Sequence, residues 1–248
     1  MFSTRGRKTT DSFGGPFSMA QKDDGQLWYT YSQNGTNWDG DTQVEDVGMS
    51  GSPSPVVYNN NLYVFHQGQE NDGQLWYSVF NGTSWIVDKQ VPNLGMSESP
   101  GAVLWKGGIT VFHQGQKEDG QLWYTYSSDG QNWGGDTLVQ NVGMSASPSP
   151  VVYNNNLYVF HQGGRNDGQL WYSVFDGTNW SGDTQIQNVG MSASPSAVAW
   201  AGGITVFHEG ANQNGQLWYT YSSDGIHWGP DTLVQNVGLS VAPLLVVF

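Results

Sequence analysis

The sequence predicts an all-β chain in which one antiparallel meander is written five times, and three observations predict it. The Trp of "GQLWY" recurs at Trp28, Trp76, Trp123, Trp171 and Trp218, spaced 48, 47, 48 and 47 residues apart. Charged residues make up only 12% of the chain, against 34 Gly, twelve Trp, twelve Tyr and ten Phe, a mix that favours short strands and tight turns over helices. Asp-Gly and Asn-Gly stand between the apolar runs, and their positive φ angles match the twist of antiparallel hairpins.

The elements follow in order. Residues 1–12 read as a disordered tail, and 13–248 as a single domain with repeats 13–47, 48–94, 95–142, 143–189 and 190–237, then a closing strand, 238–248. In the third repeat the strands are expected at "GAVLW", "ITVFH", "QLWYTY" and "NWGGDTLV", separated by "KGG", "KEDG" and "SSDG". These runs are apolar on both faces, as required when each sheet is packed between two others, and a period of about 40 to 50 residues is that of propeller blades. The first repeat lacks an opening strand and "GLSVAPLLVVF" has the pattern of one. The expectation is a five-bladed β-propeller of four-stranded blades, its ring closed by the C-terminal strand in the first blade. Repeats 2 and 4 share "VVYNNNLYVFHQG", whereas 3 and 5 share "GGITVFH" and "LWYTYSSDG", so an odd ring sets two repeats of one kind side by side.

Composition excludes several roles. The net charge is −13, and from residue 11 onward five basic side chains face 21 acidic ones, which repels phosphate backbones and anionic membranes. Nucleic acid and membrane insertion are therefore not expected. Without cysteine there is no disulfide frame or thiolate chemistry. No run resembles a signal peptide or a membrane span, so a soluble chain is expected, with its compartment undetermined.

"SSDGQNW" (127–133) and "SSDGIHW" (222–228) resemble the Asp-box of sialidases and related propellers, shortened by one residue; "SQNGTNW" (32–38) has Asn for Asp, and repeats 2 and 4 lack the Ser. The resemblance implies a structural turn between the third and fourth strands, with Asp129 bonding backbone amides and Trp133 packing between blades. A sialidase site would need an arginine cluster, and the chain has only Arg5, Arg7 and Arg165. Other glycosidases need carboxylates that break the repeat, whereas here Asp72, Asp119 and Asp167, and Asp41, Asp136, Asp183 and Asp231, recur, with Glu98 and Glu209 isolated. No enzyme activity is expected.

The remaining repeated polar set is His66 with Gln67, His113 with Gln114, His161 with Gln162, and His208 with Glu209. One His per blade is too dispersed for a zinc site, so neither metal nor cofactor is expected. Two readings stay open. Each His ties strand ends together in a polar seam, or the pairs hydrogen-bond a sugar between blades while Trp76, Trp123, Trp171 and Trp218 offer stacking faces. Trp105 and Trp200 serve packing or stacking equally well. Aligned on Trp28, Ser18 and Met19 take the His and Gln positions of the first repeat, so four pockets are expected rather than five.

In period and architecture the chain resembles five-bladed propeller lectins of the tachylectin-2 type. That resemblance implies a multivalent lectin, with glycans as partners and N-acetylhexosamine as the first sugar to test. The rival reading from another class is a protein-interaction scaffold, because fold alone does not fix function.

Overall fold

A computed structural model describes residues 17–21 and 24–239. The described chain is a succession of antiparallel meanders that follow the repeats. Unit 1 contributes Phe17–Gln21, Gln26–Tyr31 and the first part of Thr42–Tyr58. Unit 2 takes the rest of that strand, then Asn61–Gly68, Gln74–Phe80 and the first part of Trp85–Trp105. Unit 3 continues with the rest of Trp85–Trp105, then Gly108–Gly115, Gln121–Ser127 and Thr137–Gly143. Unit 4 is Ser149–Tyr153, Asn156–Gln162, Gln169–Phe175 and Thr184–Gly190, and unit 5 is Ser196–Trp200, Gly203–Glu209, Gln216–Ser222 and Thr232–Gly238. No helix among the described residues is long and apolar enough to cross a membrane.

Two details differ from the sequence reading. The fourth strand of unit 3 starts at Thr137, because "NWGG" remains in the turn, where the Gly134 amide donates to the Tyr126 carbonyl. The strands 42–58 and 85–105 also run through the expected repeat boundaries without a break. Pairing with the next unit begins immediately, at Met49 opposite Gly68 and Met96 opposite Gly115. In units 4 and 5 the same contact survives only as isolated bridges, Met144 to Gly163 and Met191 to Gly210. The closing strand expected at 238–248 and the tail at 1–12 lie outside the described residues, apart from Gly238 and Leu239.

In units 2 to 5 the first hairpin turns on two residues. Asn59 and Asn60, and Asn154 and Asn155, both have positive φ, as a two-residue turn of the twist-matching type requires. The second strand is the most enclosed: all eight residues of Gly108–Gly115 are buried, in accord with apolar residues on both faces. Apolar clusters lie between neighbouring units. Phe65, Leu75, Tyr77 and Val91 of unit 2 join Ile109 and Val111 of unit 3, and Phe160, Leu170 and Ile186 of unit 4 join Ile204 and Val206 of unit 5.

The alternation in sequence corresponds to two kinds of interface. We call units 2 and 4 Tyr-type and units 3 and 5 Trp-type, after Tyr58, Tyr153, Trp105 and Trp200 at the end of the innermost strand. From Tyr-type to Trp-type, the Tyr58 hydroxyl lies 3.0 Å from the Gly107 carbonyl and 2.7 Å from that of Ser128, and Tyr153 lies 2.7 Å from those of Gly202 and Ser223. Trp133 stands edge-on to Phe65, as Trp228 does to Phe160. From Trp-type to Tyr-type the contacts change: Trp105 packs on Phe175, and the Lys106 ammonium donates to the Gly177 carbonyl.

Candidate functional site

Strand register fixes where the repeated polar residues go. His66, His113, His161 and His208 lie opposite Trp76, Trp123, Trp171 and Trp218 on the adjacent strand. All four imidazoles are 0% exposed. Each Nδ1 contacts the carbonyl of the next residue at 2.9 to 3.1 Å. Each Nε2 contacts an Asp Oδ1 at 3.0 to 3.1 Å, from Asp88, Asp136, Asp183 and Asp231 on or just before the fourth strand. A carbonyl only accepts, so Nδ1 is the donor to it, and Nε2 faces the carboxylate oxygen. With no accessible surface and both nitrogens engaged, the imidazoles hold the second strand to the fourth. The physical reason is register: a residue opposite a strand-centre Trp points into the sheet packing.

The residues beside them also join strands and units. The Gln114 amide donates to the Met144 carbonyl of unit 4, and the Gln162 amide to Met191 of unit 5. Gln67 is buried at the edge of an open cleft, and Glu209 Oε1 accepts from the Gly215 amide at 2.9 Å. Trp76, Trp123 and Trp171 each donate Nε1 to the Asp four residues earlier, at 2.8 to 2.9 Å. Trp218 has Asn214 in that place. The Asn214 oxygen accepts from the Gln216 amide, and Trp218 Nε1 is buried without a partner.

In unit 1 the register corrects the alignment. Trp28 pairs with Ala20 and Leu27 with Gln21, so Ala20 and Gln21, not Ser18 and Met19, occupy the His and Gln positions. The rim loop of unit 1 is two residues shorter than that of unit 2, and counting back through it shifts the alignment by two. Unit 1 thus lacks the imidazole and keeps the Gln.

The open space lies beside this seam. A cleft of about 620 Å³ separates units 2 and 3 at the rim, formed by Gln67, Asn71 and Asp72 on one side and Ser97, Glu98, Gln116, Lys117 and Glu118 on the other. The rim loops are held by serine: Ser50 Oγ accepts from the Asn71 amide and Ser97 Oγ from the Glu118 amide, both at 2.9 Å. The lining holds amides, hydroxyls and both signs of charge, and no aromatic ring. A second cavity, about 490 Å³, runs between the innermost strands along 51–55, 98–102, 147–152 and 194–199. Glu98 touches both spaces and, among the described residues, is the one carboxylate on the wall of the second. Burial, and then the charge of Glu118, raise the Glu98 carboxyl above its ordinary value. Among the described residues no group of three His, Asp or Glu is placed to hold a metal.

On the opposite rim, Asp129 Oδ1 accepts from the amides of Gln131 and Asn132 at 2.8 and 2.7 Å, while Ser127 Oγ accepts from the Gly130 amide. These bonds, led by the Asn132 backbone amide and its side chain, hold the Asp129 carboxyl well below the usual carboxylate range. Asp224 is lowered likewise, first by the His227 ring at 2.7 Å.

Sequence reasoning missed two groups. The Asp partners of the imidazoles were legible as a fixed separation, 22 or 23 residues after each His. Asn71, Gln116, Lys117 and Glu118 of the cleft lie where "QEND", "QKED", "GRND" and "ANQN" differ between units, so a search for repeated residues passes over them.

No family model matches the chain, and no curated protein does. Solved structures do. Aleuria aurantia lectin, a fungal lectin described as a six-bladed β-propeller with a fucose recognition mode, superposes with a TM-score of 0.66 at 16% identity, over 90% of this chain and 75% of that one. The fold is a β-propeller. An α-L-arabinofuranosidase from Clostridium thermocellum gives 0.58 at 14% identity, over 87% and 85%. A Hadza microbial sialidase gives 0.61 at 12% identity, over 86% of this chain and 53% of that one. This propeller fold is thus shared by sugar-binding and sugar-cleaving proteins, and the choice between them falls to the site.

Proposed function

We propose that the chain is a carbohydrate-binding propeller that takes sugars in polar clefts between neighbouring units at the rim of the His-Asp seams. The observation that carries this reading is the cleft between units 2 and 3. Its volume falls in the range of about 300 to 1,000 Å³ usual for small-ligand pockets, and it offers neutral amide and hydroxyl partners on two rigid walls. The seam supports the site from behind: Gln67 lines the cleft, and the imidazole next to it fixes the strand that carries it. Trp76 contributes through Asp72, whose Oδ2 accepts its indole hydrogen, rather than as a stacking face.

Repetition of the units supports multivalent binding, in which several weak pockets on one body raise avidity by roughly 10² to 10⁴. N-acetylhexosamine and fucose are the sugars to compare, the first from the resemblance to five-bladed lectins, the second from the fucosides bound by the fungal lectin. A glycan array with the intact chain tests the proposal. Hits sharing one terminal sugar, and lost on replacing Asn71 and Gln116 together by Ala, uphold it; a blank array at micromolar protein refutes it.

A second reading has one observation in its favour. Glu98 is a carboxyl with a raised pKa beside Glu118, the kind of group that serves as a general acid in glycoside hydrolysis. We place binding ahead of hydrolysis because Glu98 is the one carboxylate on the described wall of the inner cavity, where the reaction needs two, so that hydrolysis would have to pair Glu98 with Glu118 in the rim cleft. Release of nitrophenol from aryl glycosides by the intact chain, abolished in Glu98→Gln, would reverse that order.

A further inference from the structure

We propose that Asn214 is a self-modification site, converted to Asp within the folded chain with Glu209 as the base. Unit 5 departs from units 2, 3 and 4 at two coupled positions. Glu209 stands where they carry Gln67, Gln114 and Gln162, and Asn214 stands where they carry Asp72, Asp119 and Asp167. The two changes meet at one atom: Glu209 Oε1 accepts from the backbone N–H of Gly215 at 2.9 Å, and Gly215 follows Asn214 in the chain. That nitrogen is the nucleophile that closes an Asn-Gly pair to a cyclic imide, and a residue without Cβ leaves the approach open.

The conversion balances with water as its one co-reactant. As the Gly215 nitrogen attacks the side-chain carbonyl carbon of Asn214, its proton passes to Glu209. The Gln216 amide, 2.9 Å from Asn214 Oδ1, stabilises the oxygen on which negative charge develops. The new C–N bond forms, the bond from that carbon to the side-chain nitrogen breaks, and ammonia leaves with the proton that Glu209 returns. Water then opens the imide. Breaking the bond between the Gly215 nitrogen and the side-chain carbon gives Asp, and breaking its bond to the main-chain carbon gives isoaspartate.

The product suits the place where it forms. With Oδ1 engaged by the Gln216 amide, Asn214 turns Nδ2 toward Trp218, so that a Cβ added to Gly210 would meet Asn214 Nδ2 and Trp218 Nε1 together, each at 2.6 Å. In unit 4 a Cβ on Gly163 would meet Asp167 Oδ2 and Trp171 Nε1, which are hydrogen-bonded at 2.8 Å. Two donors thus share the space in unit 5 that a donor and an acceptor share in unit 4, and Trp218 Nε1 is buried without a partner among the described residues. Conversion replaces Nδ2 by an oxygen and supplies the acceptor. Two other Asn-Gly pairs in the chain serve as references. Asn34 and Asn81 likewise accept backbone amides on Oδ1, but the Gly35 amide donates to the Ser32 hydroxyl, and no described carboxylate accepts from that of Gly82.

The test incubates the intact chain at neutral pH and follows the three Asn-Gly peptides by mass spectrometry, with Asn214→Asp as the chromatographic standard that tells Asp from isoaspartate. Asn214 should convert at least about tenfold faster than Asn81, and acid at 214 with amide at 81 in freshly purified chain counts as the same result. Glu209→Gln, the residue that units 2 to 4 carry, keeps an acceptor for the Gly215 amide and removes the base. It should slow conversion at 214 by at least about tenfold and leave Asn81 unchanged. Equal rates at 214 in parent and variant, or conversion at 81 ahead of 214 in the parent, overturn the proposal. If Glu209→Gln does not fold, unit 4 decides. Gln162→Glu with Asp167→Asn builds the same arrangement, and Asp167→Asn alone builds the Asn-Gly pair without its base. Faster conversion at 167 in the double variant upholds the proposal, and equal rates overturn it.

Discussion

Trp105 in unit 3 and Trp200 in unit 5 end the same strand in the same register, against Gly108 and Gly203, yet one is 7% exposed and the other 58%. Around them the sequences nearly coincide: both units carry "GGITVFH", "QLWYTYSSDG" and "DTLVQNVG". The difference is the neighbour, since unit 4 lays Phe175 and Trp180 over the first Trp and no described residue does the same for the second. A repeat therefore specifies its own meander, while burial of its outer face belongs to the next unit. In a repeat architecture, intrinsic and interface contributions separate in this way.

The sharpest way to break the comparison is to truncate both indoles. Trp105→Ala is expected to destabilise by about 3 to 5 kcal/mol in denaturant unfolding, as for a large buried aromatic, and Trp200→Ala by less than about 1 kcal/mol. Equal losses would mean that the two faces are covered alike. The His-Asp seam should behave in the opposite way, because it lies inside each unit. His113→Ala and His208→Ala are each expected to lower stability by about 2 to 4 kcal/mol, each leaving a cavity and an Asp without its imidazole. Glycan binding normalised to folded protein should hold in both, which separates a seam from a sugar contact.

Smaller effects sharpen the comparison further. Asn214→Asp gives Trp218 the indole acceptor that Asp119 gives Trp123, and should stabilise unit 5 by about 0.5 to 1.5 kcal/mol in the same assay. The turn carboxylates Asp129 and Asp224 are lowered from the ordinary 3.8 in the folded chain, so their contribution is present above that value and lost as the pH falls through the folded pKa. NMR titration should place both midpoints below 3.8. Asp129→Asn, the residue that unit 1 carries as Asn34, should flatten the acid limb of the stability profile by removing the contribution that the ionised carboxylate makes above 3.8.

The pattern of strands was legible because its signals are local. The Trp ruler, the "NNN" and "SSDG" turns and the two-faced apolar runs each act within a few residues, and they placed the hairpins and the packing of Trp133. The seam was legible only in half: the His repeated visibly, but its Asp partner lies 22 or 23 residues away across two strands, and only register brings them together. Register also decided which residues replace the pair in unit 1, because a loop shortened by two residues is invisible to alignment on a single Trp.

The sequence by itself determined the all-β repeat, its period and its two alternating kinds of unit. All of these rest on composition and on interactions between residues close in the chain. The tertiary structure alone decided that the histidines face inward, that residues that vary between units join repeated ones on the wall of the open cleft, and that equivalent tryptophans end in different surroundings. Those outcomes depend on which surfaces meet across units, and meeting is a property of three-dimensional packing that a repeat written identically in two places does not encode.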